Sequence, residues 1–177
     1  MIPKSIEKAL NEQIATEAGA SFLYLAMASW CDMKGFDGTA AFLYKHSAEE
    51  RMHMLKLFHY INNMGGHAIA PEIKKTKTDY KTVSEIFDVL YKSEQKVTKS
   101  VSELVELCIK ERDYSTHNFI QWYVAEQYEE EVLFRGIMDK INLVGEDGKG
   151  LFMFDQYMQG LANAKAGAAA ADADTAE

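Results

Sequence analysis

An all-α chain is predicted, folded as a four-helix bundle with a long crossover between its second and third helices and a short fifth helix at the end. Three features predict it. Apolar residues recur at steps of four and three through four long stretches. Only two prolines occur in 177 residues, and the glycine clusters fall between those stretches. The connections are short, long and short in turn, which limits how the helices can pair.

Helix A is expected from near Ser5 to just before Gly35, and helix B from Asp37–Thr39 to about Met64, where Gly65-Gly66 ends it. Residues 66 to about 82 contain Pro71 and no helical period, so they form a polar connection. Thr82 and Glu85 have capping-box spacing and open helix C, which runs to about Glu111. A turn through Asp113 leads into helix D, from about Ser115 to Val144. Gly145, Gly148 and Gly150 then break the chain before helix E, from about Leu151 to Leu161. The long helices have roughly 27 residues each, hence about 40 Å at 1.5 Å per residue. The B–C connection reaches roughly 55 Å when extended, enough to run the length of the bundle and start helix C at the same end as helix B. Residues 1–161 are expected to form one domain. The Ala-rich segment 162–177 carries no stripe to bury and is expected to be a flexible tail.

Each apolar stripe is interrupted by side chains that bind metals. The first runs Ile6, Leu10, Gln13, Glu17, Ala20, Tyr24, Met27, Cys31. The second runs Leu43, His46, Glu50, His53, Leu57, Tyr60, Met64, and the third Leu90, Glu94, Val97, Val101, Leu104, Cys108. The fourth runs Thr116, Ile120, Tyr123, Gln127, Glu130, Phe134, Ile137, Ile141. One acid on an apolar face is ordinary, whereas four at mid-helix depth in consecutive helices need a shared cause. Mid-helix residues on inward faces of equal helices meet in one layer, and the pairs Glu50/His53 and Gln127/Glu130 each share a face. Burying an unpaired carboxylate costs several kcal/mol, and like charges in one layer add repulsion. No Lys or Arg stands on a stripe in that layer, and Arg51 beside it points away. Two divalent cations would cancel Glu17, Glu50, Glu94 and Glu130. Oxygen donors with one imidazole and no thiolate suit iron or manganese better than structural zinc. Tyr24, two turns from Glu17, is placed beside the metals for packing, hydrogen bonding or electron transfer.

Composition bounds the alternatives. A formal net charge of −8 disfavours nonspecific binding to nucleic acid or to an anionic membrane. Cys31 and Cys108 lie far apart on the stripes with no CxxC, which excludes a zinc-ribbon module and fits a reducing cytosol. No segment has the apolar length of a membrane span, and the N-terminus enters an amphipathic pattern directly, so a cytoplasmic location is expected.

Four motifs then carry a resemblance: Asn11-Glu12-Gln13 followed by Glu17, Glu49-Glu50-x-x-His53, Ser93-Glu94-Gln95, and the run from Gln121 through Glu131. Over about residues 1–161 the chain resembles a non-haem bacterial ferritin. The resemblance implies a ferritin-like bundle and a ferroxidase centre that oxidises Fe(II) to Fe(III) with O2 or H2O2. Glu17, Glu50 and His53 would hold one iron with Gln127 close by, and Glu94, Glu50 and Glu130 the second, Glu50 bridging. Glu49, Glu126, Glu129 and Glu130 match the ligands of a third iron position. A homo-24-mer shell storing ferric mineral is implied. Gln127-x-x-Glu130 stands where many di-iron proteins repeat Glu-x-x-His, so the centre is asymmetric. Arg51 occupies the position of bacterioferritin's haem methionine, with Met52 one residue off, so no haem is expected.

Rival readings are a di-metal redox enzyme without a cage, a DNA-protecting relative, and a purely structural bundle. The expected helix E and the lack of CxxC count against the first, and the acidic tail against the second. The buried acids count against the third.

Overall fold

The computed structural model describes the backbone of residues 2–174 and the side chains through residue 164. Its elements are α1 (Lys4–Met33), α2 (Asp37–Asn63), α3 (Val83–Glu111), α4 (Tyr114–Phe119), α5 (Gln121–Val144) and α6 (Gly148–Asp174). The all-helical reading stands, and among the described residues there is no strand.

The predicted stops are realised through backbone geometry. After α1, Gly35 adopts φ +80° and Phe36 N–H bonds back to the Cys31 carbonyl at 2.9 Å. Gly65 after α2 has φ +76°, and Gly66 N–H reaches the Ile61 carbonyl at 2.9 Å. Both conformations are left-handed and favour glycine. Thr82 caps α3 by accepting from Glu85 N–H at 3.1 Å, while the Glu85 carboxylate reaches Lys81 N–H at 2.7 Å instead of closing the box on Thr82.

The expected helix D is divided at Ile120 into α4 and α5. The Gln121 side-chain amide donates to the His117 carbonyl at 3.0 Å across the break. Inward facing survives the break, because Thr116, Ile120, Tyr123, Gln127 and Glu130 are all buried.

The long connection runs along α1. At one end Asn11 accepts from Ile69 N–H at 2.7 Å and donates to the His67 carbonyl at 3.0 Å. At the other end Trp30 Nε1–H donates to Asp79 at 3.2 Å. Asn11 and Trp30 are about 28 Å apart along a helix rising 1.5 Å per residue, so this is the predicted crossover.

The fifth helix begins earlier and continues further than its apolar stripe. The backbone of α6 is helical to Asp174, and residues 175–177 lie outside the described residues. The expected flexibility of 162–177 falls mostly on side chains outside the described set. Phe154, Met158 and Ala162 are buried by α6 at steps of four. The Asp155 carboxylate accepts from Gly38 N–H (3.0 Å), Thr39 N–H (2.8 Å) and the Thr39 hydroxyl (2.8 Å), capping the start of α2 from another helix.

The apolar core is in two parts. One contains Tyr24, Met27, Leu43, Phe87, Leu90, Phe134 and the α6 residues. The other contains Leu10, Ile14, Leu57, Val97, Leu104, Ile120 and Tyr123. On every long helix the polar interruptions predicted from the stripes lie between the two.

Candidate metal centre

The layer between the core clusters is built from α1, α2, α3 and α5. Glu17 and Glu94 are each 1% exposed, and Glu50, Gln127 and Glu130 are also buried. One ligand atom each from Glu17, Glu50 and His53 lies within 4.8 Å of the other two. His53 Nδ1 is 3.4 Å from Glu50 Oε2 and 3.8 Å from Glu17 Oε2. Neither set of ion pairs involves lysine or arginine, and Arg51 is exposed, as expected from the stripe.

Glu94 enters from α3. Its Oε1 accepts from the Tyr24 hydroxyl at 2.7 Å and its Oε2 from Gln127 Nε2 at 3.3 Å. Tyr24 is therefore a hydrogen-bonding neighbour of the layer as well as a core residue. Two buried oxygens in the layer, Glu17 Oε2 and Gln127 Oε1, have no hydrogen-bond partner among the described residues. Buried oxygens normally find a donor, and orphans of this kind fit a site whose natural partner is a cation.

Charge in the layer is shifted in the direction that crowded acids require. Burial raises the Glu50 carboxyl to about 8, with His53 opposing the rise and the Glu17 charge adding to it. Burial raises Glu94 to about 8 as well, reinforced by the charges of Glu50 and Glu130. Burial alone would lower His53, but the neighbouring carboxylates of Glu17 and Glu50 outweigh it and raise the imidazole to about 10. Protons thus hold the place that divalent cations would take.

A second group of three lies beside the first. Ligand atoms of His46, Glu49 and Glu130 also fall within 4.8 Å of one another. His46 Nε2 is 3.6 Å from Glu130 Oε2 and 3.8 Å from Glu49 Oε2. Its Nδ1 lies 3.0 Å from the Phe42 carbonyl, an atom that can only accept, so Nδ1 carries a proton and Nε2 faces the acids. Of the residues expected at a third iron position, Glu49 and Glu130 are in this group. Glu126 instead approaches His53 Nε2 at 3.9 Å, and Glu129 is exposed and belongs to neither group.

The apolar stripes carry His46, Gln13 and Tyr123 without marking any of them as part of the site. The signal for His46 was its spacing of four and seven from Glu50 and His53. Gln13 and Tyr123 are polar or amphipathic residues one turn from a ligand position, and both bond to Glu17.

The ferritin-like domain model of the Ferritin family matches residues 7–144. The chain belongs to the ferritin family. The bacterial non-heme ferritin of Campylobacter jejuni is 48% identical over 162 residues, covering 92% of this chain and 97% of that protein. The bacterial non-heme ferritin of Escherichia coli O157:H7 is 42% identical, covering 90% and 96%. Among solved structures, an open-pore ferritin from Archaeoglobus fulgidus superposes with a TM-score of 0.87 at 36% identity, covering 90% of this chain and 98% of that one. Ferritin membership agrees with the resemblance drawn from the four motifs. None of the described helices is long and apolar enough to cross a membrane.

Proposed function

We propose that this chain stores and detoxifies iron, oxidising Fe(II) at a paired-iron centre and depositing the ferric product inside a 24-subunit shell in the cytoplasm. Glu17, Glu50 and His53 hold one iron. Glu94, Glu50 and Glu130 hold the other, with Glu50 bridging and Gln127 alongside. A third iron lies nearby, drawn by Glu49 and Glu130 with Glu126 and Glu129, and no haem takes part. Two Fe(II) give up two electrons. Dioxygen takes them with two protons to form H2O2, or H2O2 takes them with two protons to form two waters. Carboxylates suit the task because they stabilise the more highly charged product and can shift between terminal and bridging modes.

The observation that carries this reading is the layer of buried acids between two apolar clusters, where Glu17 and Glu50 meet the imidazole of His53 and, among the described residues, no lysine or arginine. The names of the relatives support iron and an assembled ferritin. The test is gel filtration of metal-free protein given excess Fe(II) in air, with iron assayed across the fractions. Iron eluting with a large shell, far beyond the roughly two or three ions per chain that such a bundle site ligates, is expected. Iron stopping at that number on a dimer or smaller species would identify a di-metal enzyme and overturn the storage reading.

A further inference from the structure

We propose that Tyr123 and Gln13 are positioning residues that hold Glu17 so that a single oxygen is directed at the metal. The inference rests on the paired-iron reading above. The Tyr123 hydroxyl and Gln13 Nε2 both donate to the same atom, Glu17 Oε1, the second at 2.7 Å. Gln13 Nε2 also donates to the Tyr123 hydroxyl oxygen at 2.9 Å, and the Ser100 hydroxyl donates to Gln13 Oε1 at 2.7 Å. The Ser100 hydroxyl also lies 2.9 Å from the Val97 carbonyl and has one proton for the two acceptors. The amide's orientation is therefore set by Glu17 itself, because a carbonyl oxygen turned that way would meet the carboxylate with like charge. Tyr123 is itself held, stacked on Trp122 with ring centroids 4.7 Å apart and planes 7° apart. The pin joins α1, α3 and α5.

With Oε1 saturated, Glu17 Oε2 is left without a hydrogen bond on the side of His53. Glu94 is arranged differently, because Tyr24 occupies one of its oxygens and Gln127 the other. A cation arriving at Glu17 displaces no hydrogen bond from Oε2, whereas a cation using Glu94 Oε2 must displace the Gln127 amide. Glu17 is consequently preorganised for end-on ligation through Oε2. Supporting hydrogen bonds of this kind orient metal ligands and change affinity about 10- to 100-fold when removed.

The test uses the assembled protein and Co(II), which binds without being oxidised by air. Calorimetric titration is followed alongside the visible ligand-field absorption, and Glu17→Ala identifies the step belonging to this position. Tyr123→Phe and Gln13→Leu are each expected to weaken that step about 10-fold or more, to leave the other step in place, and to alter the absorption band as the freed carboxylate turns. Gln13→Met keeps the length but offers no N–H and no charge. It is expected to behave as Gln13→Leu, and it serves if the leucine variant fails to assemble. Wild-type affinity and band in the folded Tyr123 and Gln13 variants, with the step abolished by Glu17→Ala, would overturn the pin and leave the centre standing. Co(II) binding unchanged by Glu17→Ala would overturn the centre and the pin together.

Discussion

Tyr24 donates its hydroxyl to Glu94 Oε1 at 2.7 Å, so a residue two turns beyond Glu17 on α1 serves the acid of α3. The tyrosine is 1% exposed and its phenol is held well above its ordinary pKa, by burial first and then by the charges of Glu94, Glu50 and Glu130. It stays protonated and remains a donor. The same bond favours the ionised form of Glu94, against the burial that opposes it.

Tyr24→Phe removes that donor while preserving the ring beside His46 and Phe134. A hydrogen bond to a charged group contributes about 1.5–3 kcal/mol, so the divalent cation at Glu94 should bind roughly 10- to 100-fold more weakly. Anaerobic calorimetric titration measures this. Unchanged affinity at both positions would reduce Tyr24 to a packing residue.

Gln127→Glu tests the asymmetry of the centre. Gln127 Nε2 donates to Glu94 Oε2 at 3.3 Å, and a carboxylate there would replace a donor with a second negative group. More charge at the site should hold the ferric product longer and slow its passage to the mineral. Mössbauer spectra taken at intervals after Fe(II) addition partition the iron between site and core. Equal partition in the two proteins would remove the role assigned to a neutral residue at this position.

How much of this was legible in the sequence follows from what periodicity can carry. Glu17, Glu50, Glu94, Gln127 and Glu130 were found because each stands at a stripe position where an apolar residue belongs, and every one of them is buried. The crossover was legible because 17 residues without a period are too many for a hairpin. Tertiary hydrogen bonds were not legible. Asp155 looks like any polar residue on helix E until the start of α2 is brought against it. Gln13 and Tyr123 passed as amphipathic core residues, since nothing in their spacing says that both side chains converge on one oxygen. The break at Ile120 was equally hidden, because no glycine or proline marks it.

The pH dependence of the metal-free protein has a definite sign. Folding raises Glu50 and Glu94 from 4.5 to about 8 through burial, and raises His53 from 6.5 to about 10 through Glu17 and Glu50 against burial. A group whose pKa rises on folding adds stability below its unfolded value and loses it as pH climbs through its folded value. All three groups therefore weaken the metal-free fold between about pH 5 and 10. The melting temperature should fall across that range, and less so in Glu94→Gln. Added Zn(II) should restore more stability at pH 9 than at pH 6, and should release protons into a weakly buffered solution at pH 7. A metal-free protein that gained stability from pH 6 to 9 would contradict the crowded-acid reading.

Asp155→Ala separates the docking of α6 from the metal chemistry. Asp155 is buried and accepts three hydrogen bonds from Gly38 and Thr39, and Gly38 is packed so closely there that an added Cβ would lie 2.2 Å from the Asp155 carbonyl oxygen. Removing the carboxylate strips two N–H groups at the start of α2 of their partner and takes an anion from a helix N-terminus. The expected cost is about 2–3 kcal/mol. For a chain of this size that corresponds to a melting temperature lower by roughly 4–12 °C. Amide exchange at Gly38 and Thr39 should accelerate, whereas cation binding at Glu17, Glu50 and His53 should be retained, because those residues lie deeper along their helices. Loss of cation binding together with the cap would mean that α6 helps to hold the centre in shape. Unchanged exchange at Gly38 and Thr39 would mean that α2 keeps its first turn without help from α6.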